Sequence, residues 1–187
     1  MSLLMLKDLP RYECLLDCAK RFPMMDPDAA SVFMHLLRTA DELYEVKADF
    51  MRSHNISNGR FTVLMLLSAA GSMEGESKSN PPRSPADLAE MAGVTRATMT
   101  GLIDTLEKDG LVWREADPND RRAMLVHLTE SGVEFSREML PGYFRQVTAI
   151  MAPLGGAEKK QLLGLLTKGR HGIEDASQVE AAPHPSV

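Results

Sequence analysis

Apolar residues recur at three- and four-residue spacing along most of this chain, and they mark out a series of amphipathic helices. Leu15, Leu16, Ala19 and Phe22 predict a short helix over Arg11 to Phe22, bounded by Pro10 and Pro23. Phe33, Leu36, Leu37, Ala40, Leu43, Tyr44, Lys47, Phe50 and Met51 predict a long one over Asp28 to Arg52. Ser57 caps the next, whose run Phe61 to Leu67 is apolar nearly all round and suits a central strut. Ser84, Pro85 and Asp87 then open a helix with the stripe Leu88, Ala89 and Met91, and Gly93 ends it. Thr95 caps another, running to Asp109, in which Met99, Leu102, Ile103 and Leu106 form the buried face. Gly110 closes it, with Leu111 folding back on Leu106.

Here the period changes. Leu111 to Arg114 and Ala123 to Leu128 read as short strands around Asp117-Pro118-Asn119-Asp120-Arg121-Arg122, a turn-rich tip with paired arginines. Thr129 caps a further helix to about Ala152, which Pro141-Gly142 should interrupt and kink. Gly155-Gly156 breaks the chain before a last helix, Ala157 to Ile173, carrying Leu162, Leu163, Leu165 and Leu166. The expected fold is mainly α with a small β-hairpin wing.

Two helices joined by a glycine turn and followed at once by a basic hairpin make a winged helix-turn-helix, a DNA-binding unit. At roughly 100° per residue, Ala97, Thr100, Gly101, Asp104 and Lys108 lie opposite the buried face of the Thr95 helix, with Thr95, Arg96 and Thr98 at its leading end. Small side chains there let a helix sit deep in a major groove about 12 Å wide. The expected DNA contacts are Ser84, Thr95, Arg96, Ala97, Thr98, Thr100, Gly101, Arg114, Asp120, Arg121 and Arg122. A cationic fingertip at Arg121-Arg122 suits the narrow, negative minor groove.

The run Ala86-Asp87-Leu88-Ala89 through Val94 to Thr100, then Leu106 to Val112, Asp117 to Arg122 and Leu128-Thr129-Glu130-Ser131-Gly132, resembles the multiple-antibiotic-resistance regulator (MarR) family over roughly Asp28 to Ile173. That resemblance implies a homodimer on pseudo-palindromic duplex DNA, usually a repressor released by a small ligand or an oxidant. It implies that Arg122 enters the minor groove with Asp120 holding it, while Arg121 and Arg114 contact phosphate or brace the wing. It also implies terminal helices that interleave between subunits, so the apolar excess of the long helix reads as a dimer interface. Gly71 to Arg83 departs from the family as a polar insertion, which lengthens the hinge between dimer arms and head, with Lys78 and Arg83 as spare phosphate contacts. The acidic residue that the urate-responsive branch uses falls on Thr62, so urate is not the expected effector.

Charge changes the picture slightly. A formal net charge of −5 does not favour gripping phosphates, so the arginines named above must gather on one face. A rival reading, a winged helix that binds protein, follows from the same acidity. Hydrophobic content of 44% supports a core, no segment has transmembrane length, and a cytoplasmic protein is expected. Cys14 and Cys18 make no disulfide framework. The hydroperoxide-sensing branch carries its cysteine near Ala29 to Phe33, so a redox-sensing regulator using Cys14 and Cys18 is the alternative and buried or idle thiols are the expectation. The histidines are dispersed and no phosphate loop or nucleophile elbow occurs, so no metal, cofactor or catalysis is expected.

An effector belongs where arms meet head, with His35, Arg38, Phe61 and Met65 as candidates, because an aromatic or phenolic acid wants one cation and apolar walls. The organisation expected is an extension over 1–27, dimerisation and core helices over 28–71, a linker over 72–83, the DNA-binding domain over 84–128, dimerisation helices over 129–173 and a disordered tail over 174–187.

Overall fold

A computed structural model describes residues 8–68, 82–118 and 123–176 of the chain. They divide into two compact units, one ending at Met139 and the other starting at Leu140.

In the first unit, helix α1 (Tyr12–Arg21) buries Leu15 and leaves Leu16 and Phe22 exposed. The Tyr12 hydroxyl donates to Asp28 Oδ1 at 2.6 Å, tying α1 to the start of helix α2 (Pro27–Ser53). Asp26 caps α2 by accepting from the amides of Asp28 and Ala29, and Pro27 occupies the first turn, where its missing N–H costs nothing. Asn55, at φ 52, turns the chain out of α2, and Ser57 then caps helix α3 (Asn58–Leu67). Phe61, Val63, Leu64 and Leu67 of α3 are buried, as its all-round apolar sequence predicts. It packs on α2, on the two helices that follow it and on the second strand of the hairpin.

Helix α4 (Pro85–Ala92) opens on a reciprocal cap: the Asp87 amide donates to Ser84 Oγ at 3.1 Å, and the Ser84 amide to Asp87 Oδ2 at 3.4 Å. Gly93, at φ 64, ends it in the left-handed conformation that costs other residues strain. Helix α5 (Arg96–Lys108) follows after Val94 and Thr95. Strand β1 (Val112–Ala116) then pairs antiparallel with β2 (Met124–Leu128), Val112 facing Leu128 and Ala116 facing Met124. Leu64, Leu88, Met99, Ile103, Leu106, Val112 and Val126 are fully buried together in this unit's core. Each such side chain contributes about 1.5–3 kcal/mol by leaving water.

Several expectations are corrected. The first strand starts at Val112 rather than Leu111, because the Leu111 amide is committed to Leu106 O at 2.9 Å in the turn that closes α5. Met91, expected on the apolar stripe, is 36% exposed, while Leu88 and Ala89 of the same helix are buried. Arg83 is no hinge residue: its backbone exchanges hydrogen bonds with Val126 at 3.2 and 2.9 Å, adding a one-residue bridge to the hairpin edge. Its Nε also donates to Leu66 O at 3.1 Å, so the side chain expected on phosphate closes the end of α3 instead. Cys14 and Cys18 are free and exposed, not buried. Lys78 lies outside the described residues.

Helix α6 (Glu130–Met151) runs unbroken past Pro141. The predicted interruption does not occur: Pro141 lies inside one continuous helix, where it forfeits a backbone hydrogen bond. In the second unit, helix α7 (Gly156–Ala176) is preceded by Gly155, whose amide donates to Glu158 Oε2 at 2.7 Å. Leu163 and Leu165 of α7 are 66% and 60% exposed. No described helix is long and apolar enough to cross a membrane.

Candidate nucleic-acid interface

The helix-turn-helix is built from caps at every corner. Thr95 is extended at φ −68, ψ 153, and its hydroxyl accepts the Thr98 amide at 3.1 Å, which fixes where α5 begins. Met99, Ile103 and Leu106 are fully buried and hold one side of α5 against the core. Rotation by roughly 100° per residue then sends Ala97, Gly101 and Asp104 to the far side. Thr95, Arg96, Ala97, Thr98, Thr100 and Gly101 are all exposed, so the sequence-predicted contact face is brought together on one open surface. Among the described residues the Arg96 guanidinium has no partner.

Gly101 sits mid-helix with nothing within 4 Å of the place where a Cβ would stand. A glycine there costs roughly 0.5–1 kcal/mol relative to alanine. No neighbour in the described fold requires it.

The electrostatics of this face were not legible in the sequence. Arg114, expected near phosphate, is three-quarters covered and reaches across from β1 to pair with Asp104, with Glu107 at 3.4 Å from its Nη1. Arg60 of α3 pairs in the same way with Asp109 at the end of α5. Two guanidinium groups thereby serve the three carboxylates of α5 and its C-cap, Arg114 being shared by Asp104 and Glu107. An acidic chain can present this helix to a polyanion because the carboxylates beside the groove-facing turns are partly offset by arginines from neighbouring elements. These pairings join residues far apart in sequence, and no local spacing announces them.

Ser84, proposed as a DNA contact, is half-buried, and its hydroxyl accepts the Asp87 amide. On the hairpin's other face the Trp113 and His127 rings stack at 4.4 Å between centroids. His127 Nε2 lies 2.8 Å from Glu115 Oε1 but out of line for a hydrogen bond. The wing tip, with Asp120, Arg121 and Arg122, lies outside the described residues.

Behind the face, the start of α6 is locked onto the end of α5. Thr129 Oγ1 donates to Gly110 O at 2.7 Å and accepts the Gly132 amide at 2.9 Å, while the Thr129 amide donates to Leu111 O at 3.1 Å. A Cβ on Gly132 would fall 2.0 Å from Leu111 O. Only glycine permits this approach. A glycine in the first turn of a predicted helix was the signal that could have revealed it.

The MarR family model matches residues 56–124, from the start of α3 into β2. The transcriptional repressor YetL of Bacillus subtilis is 30% identical over 86% of this chain and 92% of its own length. The chain belongs to the MarR family. It is a winged-helix transcriptional regulator, mainly helical with a two-stranded wing, as its sequence predicts. The transcriptional repressor MprA of Escherichia coli is also 30% identical, over 75% of this chain and 74% of its own. Among solved structures, the transcriptional regulator PA4135 superposes with a TM-score of 0.59 at 25% identity, covering 74% of this chain and 95% of that one. Bordetella bronchiseptica BpsR, whose DNA binding is regulated by 6-hydroxynicotinic acid, superposes with a TM-score of 0.55 at 27% identity, covering 73% and 96%.

The candidate effector residues have separate local engagements. His35 Nδ1 lies 2.8 Å from Ser31 O, Arg38 Nε donates to Glu42 at 2.7 Å, and both partners belong to α2. Phe61 is buried with Lys47 Nζ 5.6 Å from its ring centroid, and Met65 is half-buried. Thr62, at the urate-branch position, donates to Asn58 O at 2.9 Å.

Proposed function

We propose that this protein is a homodimeric repressor whose two α5 helices enter consecutive major grooves of a pseudo-palindromic operator, about 34 Å apart. The observation that carries the reading is the outward face of α5. It is small and polar, it is open along its leading turns, and its carboxylates are partly offset by arginines from behind. Thr95, Arg96, Ala97, Thr98, Thr100 and Gly101 make the groove and phosphate contacts. Arg122, positioned by Asp120, enters the flanking minor groove beside Arg121. Arg114 acts as a brace between wing and reading helix, the role its two carboxylate partners favour.

The reading is tested by titrating a duplex enriched from a random pool at several salt concentrations. Affinity falls steeply as salt rises, and Arg122→Ala weakens binding at matched salt by about 1–3 kcal/mol. Salt-independent retention, or no enrichment of any duplex, rules the reading out and favours a protein-binding winged helix.

The effector class in this reading is a small aromatic or phenolic acid taken up beside α2 and α3, with His35, Arg38, Phe61 and Met65 as its contacts. The ligand of BpsR supports that class. A compound that prefers the folded dimer raises its melting temperature, and a thermal-shift screen of such acids identifies it. If compounds that stabilise the protein leave its operator affinity unchanged, regulation by that class fails.

A further inference from the structure

Two hydroxyls of the reading helix give their protons to its own backbone. Thr100 Oγ1 donates to Arg96 O at 2.9 Å, and Thr105 Oγ1 donates to Gly101 O at the same distance. Thr95 Oγ1 accepts the Thr98 amide and lies 2.9 Å from Thr98 Oγ1. A hydroxyl has one proton to give. The donor of Thr100 is therefore used inside the helix, its oxygen keeps only acceptor capacity, and its methyl is the apolar group it can bring to the groove. Beside it stand the exposed methyl of Ala97 and the bare backbone of Gly101, with open space above it. The middle of the leading turns thus offers a methyl pair, Ala97 and Thr100, among its polar groups, and Arg96 carries the available charge at its edge.

Of the groups that base pairs present in the major groove, only one is apolar, the C5-methyl of thymine, and alanine and threonine methyls are its usual partners. We propose that Thr100 is a specificity-determining residue that reads a thymine methyl in each half-site. Ala97 completes the apolar contact, and Gly101 allows the helix backbone to come close enough to make it. This rests on the reading of α5 as the recognition helix and narrows it to a chemistry.

The test begins with duplexes selected by the full chain from a random pool. Each thymine of the enriched half-site is then replaced by deoxyuridine, which lacks only the methyl. At one position per half-site affinity drops about fourfold, the effect of one methyl group returned to water. Thr100→Val, which keeps a methyl and loses the hydroxyl, retains the preference for thymine over uracil. Thr100→Ser, which keeps the hydroxyl and loses the methyl, binds both duplexes alike. Both variants lie on an exposed helix surface, and their melting curves report folding independently.

Failure to enrich any duplex overturns the DNA-binding reading itself. Enrichment of a duplex that binds equally with thymine or uracil overturns this inference alone. A Thr100→Ser protein that still prefers thymine removes Thr100 from the contact.

Discussion

The DNA-reading head and the helical arms end their hydrophobic surfaces in opposite ways. In the head, α3, α4, α5 and the hairpin bury Leu64, Leu88, Met99, Ile103, Leu106 and Val126 completely, and what faces outward on α5 is small or polar. Along α2 and α7 large apolar side chains stand open, among them Phe33, Leu36 and Tyr44 on one and Leu163, Leu165 and Ile173 on the other. The head is complete as a single chain. The arms leave apolar surface that the homodimer proposed above would cover.

The strongest way to break that contrast is to charge the arms. Leu163→Glu combined with Leu165→Glu leaves the head's melting transition in place. It yields monomers by analytical ultracentrifugation and reduces operator affinity by at least about a hundredfold, because two linked half-site contacts become one. A dimer that persists at unchanged affinity removes α7 from the interface. Next in size is Gly132→Ala, which drives a methyl into Leu111 O and costs the head about 1–3 kcal/mol, read from chemical denaturation. Normal stability would mean that the α5–α6 junction gives way more easily than its contacts imply. The smallest effect is the most discriminating. Gly101→Ala raises the melting temperature, by roughly 0.5–1 kcal/mol of helix stability, and weakens operator binding. If both rise together, Gly101 is not a point of close approach.

The head was largely legible in the sequence because its signals are local. Ser84, Gly93, Thr95 and Gly110 mark helix ends by their own conformational chemistry, and Met99, Ile103 and Leu106 mark a face by spacing. What escaped notice depends on contacts between distant residues. Arg114 with Asp104, Arg60 with Asp109, and Arg83 with Leu66 and Val126 are tertiary pairings, and each assigned to a structural task an arginine that composition alone leaves available for phosphate. Pro141 misled for a related reason: its local preference is to break a helix, and α6 continues through it. The exposed apolar side of α2 was legible as a surplus over what one core needs, and that of α7 through the family resemblance, which reads 129–173 as dimerisation helices.

The grip of Arg83 on Leu66 and Val126 has a practical corollary. The two borders of the segment between α3 and α4 are clasped to each other and to the wing, whatever the length of chain between them. Lengthening a closed loop adds entropy only logarithmically, about 0.6 kcal/mol per doubling. A reporter peptide spliced between Ser68 and Pro82 is therefore expected to cost the fold little, which its melting temperature against the parent chain checks.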